Sequence, residues 1–158
     1  DNAKNRLVID LLSRALDSRY LISIREEKGG TYGVSVQAGI DKYPVESYMM
    51  AIVFDTNEQL ADELIEICYA ELKKIAEEGP LTEDIDKARE FLKKNYSNVL
   101  ESNGGWMSAI TRWYEEGYNY KEEYLGILDS ITYDDIKALA QRILADGNNV
   151  EVIMRPAK

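Results

Sequence analysis

The residues best suited to chemistry in this 158-residue chain are Arg25 and Tyr32, seven positions apart. Arg25 ends an apolar pattern with helical spacing, and Tyr32 begins an alternating pattern typical of a strand. Gly29 and Gly30 lie between them and suit a helix-to-strand turn, because glycine accepts positive φ without a Cβ clash. A guanidinium and a phenol on either side of such a turn could donate hydrogen bonds to a peptide carbonyl.

Both residues also have an ordinary structural interpretation. Arg25 could simply interact with the carbonyls at the end of its own helix or with Glu26. Tyr32 shares the phase of Val34 and Val36, which predicts a ring packed against the core whatever its hydroxyl contacts. Its expected place at the first residue of the strand leaves room for the hydroxyl to reach outward.

The chain contains no histidine. This excludes H-x-x-E-H and every other zinc site with a histidine ligand, together with Ser-His and Cys-His nucleophiles. Pairs of acidic residues occur, but they lack the ligand spacing of a calcium loop and are interpreted as solvated helix charges. These pairs are Glu26-Glu27, Glu115-Glu116, Glu122-Glu123 and Asp134-Asp135. We therefore predict that this chain holds no metal or other cofactor.

Composition excludes several classes of partner. Nineteen basic and 29 acidic side chains give a net charge of −10, which argues against nucleic-acid binding because the long-range field repels phosphates. No apolar run approaches the roughly 18 residues of a membrane span. Gly29, Gly30 and Gly33 precede a strand, whereas a nucleotide-binding glycine loop follows one. Cys68 is the single cysteine and lies in an apolar helical pattern, which predicts a buried thiol.

Length and apolar content predict one domain over residues 1–158, since 45% apolar residues suffice for one core. The first residues, 1–4, show no initiator methionine, basic region or apolar leader, so we expect a fragment of a longer chain. The compartment is left open, with the cytoplasm and the periplasm both compatible with the sequence.

Periodicity predicts nine elements in the order α-α-β-β-α-α-α-α-β. They are helices over 4–16 and 17–25, strands over 31–40 and 48–54, helices beginning near 56, 82, 118 and 132, and a last strand over 150–154 that Pro156 ends. The pattern of the helix that begins near 82 is broken at 103–105 and resumes at 106. Thr56, Thr82 and Thr132 are the predicted N-caps, with capping boxes to Gln59 and Asp135. Because βαβ alternation is missing, the class is α+β, a mainly antiparallel sheet with helices packed on one face.

The two central strands differ in pattern. The first carries small or polar residues on its second face, which suits close approach of an extended peptide. These residues are Gly33, Ser35, Gln37 and Gly39. The second strand, residues 48–54, is apolar on both faces and is predicted to lie inside the sheet.

Aromatic residues are frequent between Trp106 and Tyr124. Trp106, Ile110, Trp113 and Tyr114 recur at helical spacing and predict a buried helix face. The stretch from Trp113 to Tyr124 admits two interpretations, core packing or a peptide-binding wall.

The Arg25…Tyr32 element with its Glu-Lys-Gly-Gly link resembles the Arg…Tyr element in the second, non-metal half of insulinase/pitrilysin-like zinc peptidases, relatives of the mitochondrial processing peptidases. Further stretches agree in order along the chain. They are Pro80-Leu81-Thr82-Glu83, Ile131-Thr132-Tyr133-Asp134-Asp135 and Val150-Glu151-Val152-Ile153-Met154-Arg155-Pro156.

The resemblance implies a division of labour. The zinc would belong to a sibling domain with an H-x-x-E-H helix, and this domain would close the chamber as its inactive half. Arg25 and Tyr32 would donate hydrogen bonds to substrate carbonyls or to the oxyanion, and Gly33, Ser35 and Gln37 would contact the peptide. The family also places a strand before the first helix. That strand is missing or cut away here, which would leave a sheet edge open to another chain, including a second copy in a homo-oligomer.

Two other hypotheses remain at this point. In one, the chain is a structural or assembly subunit of the same fold, and Arg25 and Tyr32 only support the turn. In the other, it is a self-contained enzyme that uses paired carboxylates, for instance a glycosidase.

Overall fold

A computed structural model describes residues 2–26, 28–29 and 31–155 of the chain. The described part contains six α-helices, a π-helical segment and two strands. Their bounds are α1 Ala3–Tyr20, the π-helical segment Leu21–Glu26, β1 Val34–Asp41, β2 Ser47–Phe54, α2 Ala61–Glu78, α3 Thr82–Glu101, α4 Asn103–Glu116, α5 Tyr120–Ser130 and α6 Tyr133–Asp146. No helix among these residues is long and apolar enough to cross a membrane.

Helix α1 is the centre of the core and packs against β1, α2, α3, α5 and α6. Its predicted apolar stripe is confirmed, because the side chains at i, i+4 spacing are buried. They are Leu7, Val8, Leu11, Leu12, Ala15 and Leu16. Cys68 on α2 is buried as expected, and its carbonyl accepts a hydrogen bond of 2.9 Å from the hydroxyl of buried Tyr20.

Strands β1 and β2 form an antiparallel pair with helices on one face, which confirms the α+β class. The face toward the core carries Val34, Val36, Met50, Ile52 and Phe54. We call the opposite face the outer sheet face. It is formed by the paired residues Ser35 and Val53, Gln37 and Ala51, and Gly39 and Met49.

Helix α1 does not break at Asp17-Ser18 as the sequence predicts; it continues to Tyr20 and runs directly into the π-helical segment. Both polar side chains make tertiary contacts there. The Asp17 carboxylate accepts the Val36 N–H of β1 at 2.8 Å, and the Ser18 hydroxyl donates to Asp84 of α3 at 3.1 Å. These polar residues therefore join elements and do not interrupt the helix.

Two expectations about the sheet are wrong. Residues 150–154 form no strand with the described part of the chain, and β2 pairs with β1 alone there. A strand needs the hydrogen bonds of a neighbour, and alternation by itself cannot supply them. Side chains hold the segment instead. Tyr69 of α2 donates to Glu151 at 2.8 Å, and Arg155 pairs with Glu58, in the turn before α2, at 2.9 Å. Pro156 lies outside the described residues.

The predicted caps have mixed outcomes. Thr132 caps α6 in a full capping box with Asp135, as expected. Helix α2, however, begins at Ala61, five residues after Thr56, and Thr82 is already the first residue of α3. At the start of α2 the Asn57 side chain accepts the Leu60 N–H at 3.0 Å, so the turn is fastened before the helix begins.

The aromatic stretch divides between two environments. Tyr118 and Tyr124 are buried, and the ring of Tyr124 lies 4.7 Å from Tyr120 and 5.5 Å from Tyr96 between centroids. Helix α4 is different, since none of its residues is buried in the described structure. The predicted buried face of this helix is therefore wrong.

Candidate functional site

Arg25 lies in the last turn of the π-helical segment, with an exposed side chain. Its carbonyl accepts the N–H of Gly29 at 3.1 Å, and Gly29 has φ of +61°. Glycine at this position is thus explained by the left-handed backbone that ends the helix. Gly30, the second predicted turn glycine, lies outside the described residues.

Tyr32 lies in the loop before β1, and 93% of its surface is exposed. The prediction of a ring packed on the core is therefore wrong. The reason is that regular pairing begins only at Val34, so the phase of the strand does not extend back to Tyr32. The phenol projects away from the core, where its hydroxyl can meet a ligand.

Polar contacts fasten the loop that carries Tyr32. The Thr31 hydroxyl accepts the Gly33 N–H at 3.1 Å and lies 3.0 Å from the carboxylate of Asp55, just past β2. Lys28 pairs with Glu63 of α2 at 2.6 Å. The exposed Tyr32 is therefore presented by a loop with anchors to both β2 and α2, which limits the conformational entropy it loses on binding.

The outer sheet face continues from this loop. Ser35 and Gln37 are exposed on β1, as the alternating pattern predicts. A Cβ added at Gly33 or Gly39 would meet no described atom within 4 Å. An extended backbone can therefore approach β1 closely at these two positions.

Sequence reasoning missed the contribution of β2 to this surface. Met49 and Val53 were assigned to the interior, yet they are 60% and 55% exposed beside Gly39 and Ser35. Pairing β2 with the alternating β1 would have predicted this exposure, because residues opposite each other in an antiparallel pair lie on the same face of the sheet. The outer sheet face thus combines polar β1 residues with apolar β2 residues.

The site offers hydrogen-bond donors and no reactive group of its own. Arg25 brings guanidinium N–H groups and Tyr32 brings one O–H, and each kind of donor suits a carbonyl oxygen or an oxyanion. Burial raises the pKa of the Cys68 thiol to about 12, so no thiolate nucleophile forms near neutral pH. Among the described residues, no cluster of three or more His, Cys, Asp or Glu side chains could hold a metal ion. The residues that the structure describes therefore do not fit a zinc ion.

An open cleft of about 390 Å³ lies elsewhere, between the N-terminus of α1 and the C-terminus of α4. Its charged lining comes from Lys4, Lys42, Glu116 and Glu123. Two of these are already in ion pairs, Lys4 with Asp135 at 2.9 Å and Glu116 with Arg6 at 2.6 Å. The cleft shares no lining residue with the Tyr32 loop or with the outer sheet face. We place the candidate site at that loop and that face.

Known proteins resemble this chain in sequence. The family model of the Peptidase M16 inactive domain matches residues 1–92. A zinc protease PQQL-like protein of Arabidopsis thaliana is 25% identical over 151 residues, covering 86% of this chain and 16% of that protein. An uncharacterized zinc protease of Streptomyces coelicolor is 25% identical over 147 residues, covering 90% of this chain and 31% of its own length. The chain thus spans a third or less of these relatives.

Solved structures share the fold. The periplasmic protease PqqL of Escherichia coli superposes with a TM-score of 0.74 at 17% identity, over 90% of this chain and 16% of that one. A peptidase M16 inactive domain from Pseudomonas fluorescens gives a TM-score of 0.69 at 19% identity, over 86% of this chain and 33% of that one. The resemblance inferred from the Arg25…Tyr32 element is confirmed, and the chain belongs to the family of the peptidase M16 inactive domain.

Proposed function

We propose that this chain is the non-catalytic half of a zinc metalloendopeptidase. It binds the backbone of a peptide substrate and closes the chamber over a zinc site carried by a sibling H-x-x-E-H domain. Membership of the inactive-domain family and the zinc proteases among its relatives support this division of labour. The chain has no histidine with which to build such a site itself.

The observation that carries the proposal is the exposure of Tyr32 on an anchored loop beside the outer sheet face. A buried phenol could only support the turn, whereas an exposed and anchored one can meet a substrate. Arg25, exposed at the other end of the same connection, adds a permanent positive charge. As the substrate carbonyl develops negative charge, these two donors stabilise it more strongly than they stabilise the ground state.

The outer sheet face supplies the positioning of the peptide. Gly33 allows the backbone of the substrate to come close, and Ser35 and Gln37 offer hydrogen-bonding side chains one after another along β1. Met49 and Val53 add an apolar strip for substrate side chains. The face therefore suits an extended peptide of mixed polarity.

Substitution of the two donors in the complete protein tests the proposal. Tyr32→Phe and Arg25→Ala should each lower kcat by about a hundredfold, the usual loss when one oxyanion donor is removed. Thermal unfolding should be unchanged, because both side chains are exposed. The matched controls are Tyr43→Phe and Arg142→Ala, exposed residues away from the site, which should keep full turnover.

Unchanged turnover in both site variants would overturn the catalytic role. It would favour the alternative in which this domain is a structural or assembly subunit of the peptidase. A fall in turnover that parallels a fall in thermal stability would also speak for that alternative, since it would place the two residues in the support of the turn.

A further inference from the structure

Helix α4 exposes an apolar surface that the proposed function does not use. Five large apolar side chains on it are between 42% and 84% exposed. We call them the α4 stripe: Trp106, Met107, Ile110, Trp113 and Tyr114. Their spacing at i, i+4 and i+7 places them on one side of the helix.

A different side of α4 packs on the domain. Gly105 lies so close to α3 that an added Cβ would come within 2.0 Å of the Val99 carbonyl oxygen. Near the other end of α4, Glu116 binds both terminal nitrogens of Arg6 on α1, at 2.6 and 2.8 Å. A close backbone contact and a two-pronged ion pair thus fix the rotation of the helix, and they direct the α4 stripe outward.

The exposed apolar area of the α4 stripe is large for the surface of a soluble monomer. Two tryptophans, a tyrosine, a methionine and an isoleucine at these exposures present on the order of 600 Å² of mostly apolar surface, at the upper limit for a soluble monomer. A standard interface buries about 800 Å² on each partner. Trp and Tyr are also the residues that most often dominate binding energy at interfaces.

We infer that the α4 stripe docks against an apolar surface of the sibling zinc-bearing domain and so holds the two halves of the peptidase together. This inference rests on the proposed function, because it requires the sibling domain. The relatives are three or more times longer than this chain, which leaves ample polypeptide to supply the partner surface. The stripe also lies on a helix that packs mainly on α3 and α5, away from the outer sheet face assigned to the substrate.

Charge argues against a second copy of this chain as the partner. Each copy carries a net charge of −10, so that two copies repel each other at long range. The aromatic content favours a permanent partner over a transiently bound substrate. An aromatic surface that is exposed to solvent between turnovers would promote aggregation.

Photo-crosslinking in the complete protein tests the docking. Tyr114 is replaced by p-benzoylphenylalanine, and a matched control carries the same group at Ser108, an exposed polar residue that helical spacing places on the side of α4 away from the stripe. Position 114 should give crosslinked peptides from the zinc-bearing domain, and position 108 should give at least about tenfold less. Crosslinks between ¹⁴N- and ¹⁵N-labelled copies of this domain, crosslinks to a peptide substrate, or no crosslink at all would each overturn the inference.

Charge insertion provides a second measurement. With the crosslinker at Tyr114, the double substitution Met107→Lys and Trp113→Lys should lower the crosslink yield by about tenfold, because burying charges in an apolar contact opposes association. Ser108→Lys, on the side of α4 away from the stripe, should leave the yield unchanged. Hydrogen exchange of α3 and α5 should not change in any variant, since the substituted side chains are exposed. An unchanged yield in the double variant, with exchange in α3 and α5 intact, would refute the docking.

The two proposals can fail separately. Crosslinks to the zinc-bearing domain together with full turnover of Arg25→Ala would keep the docking surface and remove the catalytic role. The expected loss of turnover in Arg25→Ala and Tyr32→Phe, without such crosslinks, would keep the catalytic role and remove the docking surface.

Discussion

At the scale of single residues, exposure decides what the candidate site can do. Tyr32 has the pattern of a core residue, but 93% of it is exposed because the strand begins two positions later. Gly33 lies between Tyr32 and the first residue of β1, and it has no side chain that would block a ligand approaching the strand. The same feature that leaves the phenol exposed therefore leaves space for a ligand backbone beside it.

Gly33 gives the first prediction. Gly33→Val should leave stability within about 0.5 kcal/mol, because the new side chain meets open space and the backbone needs no positive φ. It should raise KM for a peptide substrate by about tenfold, since the branched side chain occupies the approach to β1. Steady-state kinetics and thermal unfolding of the complete protein measure both quantities. Gly126→Ala on α5 is the control and should leave KM unaltered; equal KM values for the two variants would exclude close approach at Gly33.

Glu116 gives a prediction about pH. Its hydrogen bonds to Arg6 lower its pKa from the ordinary value of 4.5, with the nearby Arg112 and Lys42 charges adding to the effect. The folded pKa lies below the unfolded one, so the ion pair stabilises the fold above about pH 4.5, and this stabilisation is lost as pH falls through the folded pKa. Urea unfolding at pH 7 should show Glu116→Gln less stable by about 1–2 kcal/mol. The difference should shrink below pH 4.5.

The neighbouring exposed carboxylate serves as the control. Glu115→Gln should change stability by less than about 0.5 kcal/mol at either pH. A Glu116→Gln difference that is constant from pH 7 to pH 3 would show that the effect does not come from the charged pair.

At the scale of elements, α1 and α4 illustrate two kinds of attachment. Helix α1 is held by an apolar face and also by Asp17, which accepts an N–H from β1. Helix α4 has no buried residue in the described structure and is held by backbone proximity and by its ion pair to α1. Its position therefore depends on small residues at the α3 contact, which frees its aromatic side for another partner.

The two adjacent glycines at the start of α4 test this attachment. Gly105→Ala should destabilise the domain by about 1–3 kcal/mol, because its Cβ would lie 2.0 Å from the Val99 carbonyl oxygen and the helices would have to separate. Gly104→Ala is the matched control. Its Cβ meets open space, and it should be neutral or stabilise the helix by up to about 1 kcal/mol. Denaturant midpoints compare the two, and equal values would show that the α3–α4 contact is loose.

At the scale of the whole molecule, one core beneath the sheet and around α1 carries the stability, and the two proposed working surfaces lie outside it. The outer sheet face and the α4 stripe belong to different elements and contribute little to this core. Substitutions at either surface should thus alter binding and leave folding intact, whereas substitutions in α1 should do the reverse.

Leu12 provides the test of this separation. Leu12→Ala should lower the free energy of unfolding by about 2–5 kcal/mol, because the side chain is fully buried on α1, the helix that packs against four others and β1, and its removal leaves a cavity. Leu125→Ala, which removes a side chain that is 38% exposed on α5, should cost much less. Denaturant unfolding of the two variants measures the difference, and similar losses would place the core elsewhere.

The sequence by itself determined the features that depend on local chemistry. It showed the buried stripe of α1, the capping box of Thr132 with Asp135, the alternation of β1, the absence of histidine and the family element around Arg25 and Tyr32. The stripe and the capping box follow from spacing along one segment, because a helix or a capped turn closes its own hydrogen bonds within a few residues. The absence of histidine is a matter of composition and needs no structure.

Only the tertiary structure decided which apolar patterns find a partner. Periodicity predicted a buried α4 face and a strand at 150–154, and it placed β2 inside the sheet, yet all three surfaces are exposed in the described structure. A pattern records that a side of an element is apolar, whereas burial requires a neighbour with the matching shape and, for a strand, matching backbone hydrogen bonds. That neighbour is a property of the assembled molecule, and the exposed Tyr32, the outer sheet face and the α4 stripe became visible only there.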